Sequence, residues 1–223
     1  MTDAKLTLAQ LIEGGLALLL SRPWALALFA LADAALSYGG TWAAERETLN
    51  PFLVIALAIG LGALVSGALM LTLGGRLREV VSDPAELFVR LVFVVAVTLI
   101  MLIGSAAAAV LFIVPGLFVA ARWSLAAPLV LLDGAGVIGA LRTSWELTEG
   151  TAWALVGVFV IVTAPSMILG LVNGGELAGW PPSPGVVVEF AVGAVLAAFE
   201  AATYVFALRS LAPLPDELTE VFS

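Results

Sequence analysis

The chain has 223 residues, of which 62% are hydrophobic and only 12% charged, and its formal net charge is −8. Soluble domains are about half apolar and a quarter charged, so a mean hydropathy of +1.13 excludes an ordinary water-soluble globule and points to an all-α, polytopic membrane bundle. Cysteine and histidine are both absent, which removes disulfides, thiolate nucleophiles, histidine bases and the usual zinc sets.

A spanning helix uses about 20 mostly apolar residues, so six spans and their connections consume most of the chain and leave no room for a separate soluble domain. The expectation is a single transmembrane domain over 1–223. It begins with Thr7 and Gln10 at capping-box spacing, followed by Leu8, Leu11, Ile12, Gly15, Leu16 and Leu19 on one helical face. This pattern predicts an amphipathic interfacial helix over 7–20; the alternative is the early part of one long first span. Ser21-Arg22-Pro23 is a polar break, and Arg22-Pro23 stands where a small-residue cleavage site would be expected, so no cleaved signal peptide is predicted.

Span 1 is expected over 23–40, with Trp24 at one end and Tyr38 and Trp42 at the other, as amphipathic rings favour the two interfaces. A short polar loop at Glu45-Arg46-Glu47 precedes span 2, over 51–74, whose Ala56, Gly60, Gly62, Ser66 and Gly67 predict close helix packing. Arg76, Arg78 and Glu79 form a charged turn. Ser82 is the candidate cap before Pro84 for span 3, over 86–112, and Pro115-Gly116 reads as the hairpin turn.

Span 4, over 117–132, is short and carries Arg122 and Pro128, which predicts a kinked or shielded helix. A second amphipathic interfacial helix is expected over 137–149, with Ile138, Leu141 and Trp145 on one face and Gly150 placed to end it. Span 5 covers 152–172. The segment Asn173 to Gly185 is too rich in proline and glycine for a helix, span 6 covers 185–209, and a polar tail starts at Pro213.

Alternating the loops places Lys5, Arg22, Arg76, Arg78, Arg90, Arg142 and Arg209 on or near one face and Arg46 alone on the other. By the positive-inside rule this seven-to-one split predicts cytoplasmic N- and C-termini in a bacterial inner membrane. The pattern of an interfacial helix, a break, a Trp-Ala-Leu start and two spans occurs at 7–73 and again at 137–208. That order suggests parallel internal repeats with spans 3 and 4 inserted between them.

Ionisable groups inside hydrocarbon are costly and are candidates for function. Asp33, Arg122, Glu189 and Glu200 qualify. At about 1.5 Å per residue, Asp33 lies roughly 15 Å into span 1 and Arg122 roughly 10 Å in from the outer turn, depths that permit an Arg122 pair with Asp33 or Glu189. Such a pair either ties spans together or forms a substrate or ion site. Glu200 has no basic partner at its depth; a protonated carboxyl is the plain reading, and a proton relay the sharper one. No phosphate loop, GxSxG elbow or suitably spaced carboxylate pair is present, so no enzyme and no cofactor or metal is expected.

Pro115-Gly116-Leu117, Arg122, Pro128 and the run Ala140-Leu141-Arg142-Thr143-Ser144-Trp145-Glu146-Leu147-Thr148-Glu149-Gly150 resemble the bacterial membrane-domain family named after glycerophosphoryl diester phosphodiesterase. The amphipathic start broken by Arg-Pro-Trp is similar to it as well. The resemblance implies a six-span membrane module without the phosphodiesterase activity, which in that family belongs to a separate soluble domain using histidines and metal. It suggests roles in anchoring, assembly or handling lipid-like molecules. The expected function is therefore that of a non-enzymatic scaffold, assembly or regulatory partner in the bilayer, contacting other membrane proteins or further copies of itself. The alternative is a transporter or lipid-handling protein with a lipid-like ligand at Arg122. Nucleic acid is not an expected partner.

Overall fold

The computed structural model describes residues 5–45, 50–111, 113–172 and 184–212, and these are helical with no strand among them. The ten helices are α1 (Leu8–Leu20), α2 (Pro23–Glu45), α3 (Pro51–Gly74), α4 (Leu77–Ser82), α5 (Pro84–Leu111), α6 (Ile113–Trp123), α7 (Ala126–Asp133), α8 (Val137–Leu147), α9 (Ala152–Val172) and α10 (Pro184–Leu211). The expected loop at Arg46 and Glu47, most of the Asn173 to Gly185 segment and the tail from Pro213 lie outside the described residues.

Among the described residues five stretches are long and apolar enough to cross a membrane: Leu57–Gly74, Pro84–Ala109, Ile113–Asp133, Ala152–Leu169 and Pro184–Leu211. A sixth qualifies only when α1 is counted with Pro23–Gly40, and the two are bent by 95°. That bend excludes one continuous first span. The local chemistry explains it: the Thr7 hydroxyl accepts from the Gln10 amide at 3.3 Å while the Gln10 side chain accepts from the Thr7 amide at 2.9 Å, starting α1. At its other end the Ser21 hydroxyl donates to the Leu18 carbonyl at 2.6 Å, and Pro23, which needs no amide donor in a first turn, starts α2.

Two expected boundaries differ. Ser82 does not cap α5; its hydroxyl donates back to the Glu79 carbonyl and closes α4. Asp83 takes the role, its carboxylate accepting from the amides of Ala85 and Glu86 at 3.0 and 3.2 Å, because it directly precedes Pro84 in the first helical turn. Nor is Pro115-Gly116 a hairpin turn. Both lie in the first turns of α6, where a proline ring removes only an amide that has no helical partner.

The long helices form a closed ring: α2 packs on α3, α3 on α5, α5 on α6, α6 on α9, α9 on α10 and α10 on α2. Buried Leu11, Leu71, Leu125, Leu131, Leu155 and Val205 belong to one core that joins α1, α3, α7, α9 and α10. Close approach depends on glycine at particular crossings. A Cβ on Gly15 would collide with Thr203 Oγ1, and one on Gly116 would stand 2.7 Å from the Ala109 Cβ and 2.9 Å from the Ser105 carbonyl. Thus the small-residue run Ser105 to Ala109 is the seat of α6. Ala194 and Ala198 are likewise buried in α10.

Gly60 and Gly62 behave otherwise. Nothing among the described residues lies within 4 Å of a Cβ added at either, so these two face open space, whereas Gly67 packs against Leu131 as expected of span 2. Overpacking a tight crossing typically costs 1–3 kcal/mol, whereas alanine is favoured over glycine in an open helix by about 1 kcal/mol. Gly116→Ala is therefore expected to lower the thermal midpoint in detergent by several degrees, and Gly60→Ala to leave it unchanged or raise it. Tryptophan fluorescence during thermal unfolding measures both.

Candidate functional site

The fourth span is two helices, with the break at Ser124-Leu125. Pro128 is its cause. A proline lacks the amide that would bond the carbonyl four residues earlier, and its ring crowds that carbonyl, here Ser124. The last turn of α6 tightens, so that the Ser124 amide reaches the Ala121 carbonyl at 3.3 Å. The Arg122 carbonyl and the Leu125 amide then lack their regular helical partners.

One face of α8 supplies both. Ser144 Oγ donates to the Arg122 carbonyl at 2.8 Å and accepts from the Leu125 amide at 3.2 Å. Thr148, four residues on and thus on the same face, places its hydroxyl 3.2 Å from the Arg122 carbonyl and 2.7 Å from that of Ser144. Ser144 and Thr148 are fully buried. The turn after α8 is fixed in the same way: Gly150 adopts φ +80°, and the buried Thr151 hydroxyl accepts from the Leu6 amide at 3.2 Å, which ties the N-terminal segment to the start of α9.

The Arg122 side chain is 8% exposed, and its Nε has no hydrogen-bond partner. Its guanidinium carbon lies 4.6 Å from the Trp145 ring centre and 6.0 Å from that of Phe118. Further ring contacts join Phe118 to Trp145 and Trp153, and Trp145 to Trp123, with centroids 5.6 to 6.4 Å apart. A desolvated cation–π contact contributes about 2 kcal/mol, against about 2.5–3.5 kcal/mol for placing an arginine at the centre of a membrane helix. The aromatic seat offsets most of that cost and leaves one N–H unsatisfied.

Among the described residues the ion pairs are Arg76–Glu79, Arg90–Glu86 and Arg142–Glu146. Arg122 therefore pairs with neither Asp33 nor Glu189, contrary to the expectation from depth. The ring order gives the reason, since α6 packs mainly on α5, α8 and α9, whereas Asp33 belongs to α2 and Glu189 and Glu200 to α10. Asp33, half-buried, borders a cavity of about 280 Å³ between α2 and α3. Glu189 lies partly buried in the second turn of α10. Glu200 accepts a hydrogen bond from the Tyr204 hydroxyl at 2.5 Å, a partner that the i, i+4 spacing signals and that a search for bases alone overlooks.

Three other arginines are occupied by backbone carbonyls. Arg22 Nη1 donates to the Thr72 carbonyl, and Arg209 Nη2 donates to those of Leu73 and Gly74, at 3.3 and 2.8 Å. Together they cap the C-terminal end of α3. Arg90, buried and held by Glu86, donates to the Leu131 carbonyl near the end of α7. Outside the spans, Arg76 hydrogen-bonds Glu79 and holds that exposed carboxyl below its ordinary range.

Compared with protein-family models, curated proteins and solved structures, the chain matches none of them. Its class rests on its own architecture, which is that of a multi-pass α-helical membrane protein. No cluster of three or more metal-ligating side chains occurs among the described residues.

A buried polar group stripped of its partner costs about 1–3 kcal/mol, so Ser144→Ala is expected to destabilise the protein by that amount. Pro128→Ala restores an amide to the helix and allows the span to straighten. In that background Ser144→Ala should cost less than half as much. A double-mutant cycle of unfolding midpoints checks this; additive effects would show that the serine does not serve the break.

Proposed function

We propose that this chain is a non-enzymatic protein of the bacterial inner membrane, with both termini cytoplasmic, acting as a scaffold, assembly or regulatory partner of other membrane components. The observation that carries this reading is the open face between α3 and α5. There Gly60, Leu57, Leu61, Leu64, Phe88 and Val92 border a groove of about 450 Å³, and a Cβ added at Gly60 would meet nothing within 4 Å among the described residues. Small-residue faces are how membrane helices recognise one another. The arginine-rich end of the bundle supports the orientation by the positive-inside rule, and α1 and α8 would lie along that cytoplasmic interface. The likeness of residues 115–150 to the glycerophosphoryl diester phosphodiesterase membrane domains suggests the same kind of stand-alone module.

Because the chain has no cysteine, single-cysteine variants test the reading directly in native membranes. A crosslinker at Gly60→Cys is expected to give one discrete product with a second membrane protein or a second copy, and at the exposed Val160→Cys on α9 none. Equal products at both sites, or none at Gly60→Cys, would reject the scaffold role. Ser210→Cys should react with a membrane-impermeant maleimide only after the inner face is opened; labelling from outside would reverse the orientation.

A second reading, in which an anionic lipid-like ligand or transported substrate meets Arg122, is favoured by its unpartnered, buried Nε. The two differ in what Arg122→Leu does. If the arginine is structural, loss of its aromatic contacts lowers the thermal midpoint. If it serves a ligand, the midpoint in lipid-free detergent is held or rises, because an uncompensated charge is gone, while co-purifying anionic lipid falls.

A further inference from the structure

At the arginine-rich end of the bundle, Arg22, Trp24, Thr72, Gly75, Leu77 and Arg78 enclose a cavity of about 370 Å³. Trp24, Thr72 and Leu77 also border a second cavity, of about 300 Å³, that runs on between α2 and α3 past Leu28, Phe29, Ala32 and Ala68. The two adjoin at these three residues, and their linings differ in kind. The first is cationic, the second almost wholly apolar.

Among the described residues the charge at the first end is uncompensated. Arg78 has neither an ion pair nor a hydrogen bond among the described residues, and Arg22 donates only to the Thr72 carbonyl. The nearby carboxylate of Glu79 is taken by Arg76. Two guanidinium groups thus stand at the mouth of an apolar groove that follows α2 from Arg22 to Ala32, about 15 Å at 1.5 Å per residue. Trp24, 58% exposed, marks the level where an amphipathic ring meets the head groups.

From this juxtaposition we infer that the seam between α2 and α3 is a binding site for an anionic phospholipid. Arg22 and Arg78 hold the head-group phosphate, Trp24 borders the glycerol region, and one acyl chain lies in the groove beside Leu28, Phe29 and Ala68. Basic pockets between membrane helices on the side facing the cytoplasm are suited to anionic head groups. The apolar continuation is what makes a lipid, rather than a small anion, the fitting occupant. This site shares no residue with the α3–α5 face, so either assignment can fail without the other.

The test is native mass spectrometry of the intact protein titrated with phosphatidylglycerol or phosphatidylcholine of matched chains. Phosphatidylglycerol is expected to bind at least fivefold more tightly. Arg78→Gln, which removes a guanidinium with no backbone role, should reduce phosphatidylglycerol binding roughly fivefold, the size expected of one arginine at an anionic surface. Ala68→Trp, which fills the groove, should weaken both lipids. Arg142→Gln removes an exposed arginine elsewhere on the same end and should change neither. Equal binding of the two lipids, an Arg142→Gln loss as large as that of Arg78→Gln, or full displacement by millimolar inorganic phosphate would each overturn the assignment.

Discussion

A backbone carbonyl or amide that leaves its helical ladder inside hydrocarbon has no water to turn to, and this bundle is organised by that constraint. Pro128 breaks the fourth span at Ser124-Leu125, and two hydroxyls on one face of α8 answer the break. The C-terminal carbonyls of α3 are answered by Arg22 and Arg209 and one of α7 by Arg90. In each case a side chain from a distant part of the chain supplies what the local helix cannot. Satisfying the backbone and fixing the tertiary arrangement are then a single event.

The demand is met unevenly round the ring. Where α1, α6, α7, α8, α9 and α10 meet, glycine, serine and threonine are buried at close crossings and breaks are braced from the side. Where α2, α3 and α5 meet, uninterrupted helices need no such bracing, and the seams between them stay open as grooves, apolar except where Asp33 borders one. Irregular backbone thus gathers the tight part of the molecule around itself, and regular backbone leaves surface free for other membrane components.

The spans were legible because long apolar runs carry their own length scale, and the bends because Pro23 and Gly150 punctuate them. Arg122 marks the limit of that legibility. Depth along a helix follows from counting residues, so Asp33 and Glu189 looked reachable; which neighbour a helix faces does not follow from counting, and α6 packs on neither α2 nor α10 to any extent. Periodicity places Trp145 on the apolar face of α8, whereas its ring covers the Arg122 guanidinium. Ser144 and Thr148, four residues apart, carried a signal that could have been read as two hydroxyls on one face. Pro115 misled because a proline suits a turn and a first helical turn alike. The seven-to-one split of basic residues, Lys5 and six arginines against Arg46, reads as a sign of orientation, yet Arg22, Arg90 and Arg209 also cap carbonyls, so the asymmetry has two physical sources.

The seat of α1 lies on α10, at Thr203 and Phe206, and the end of α3 is completed by Arg209 from that same last helix. Both partners emerge from synthesis after α2 to α9. Helix α1 must therefore wait, with Gly15 uncovered, until α10 has been inserted. Non-local closure of this kind makes assembly late and all-or-none rather than stepwise. The amphipathic character of α1 gives it somewhere to wait: a helix with one apolar face can rest at the membrane surface until its partner arrives.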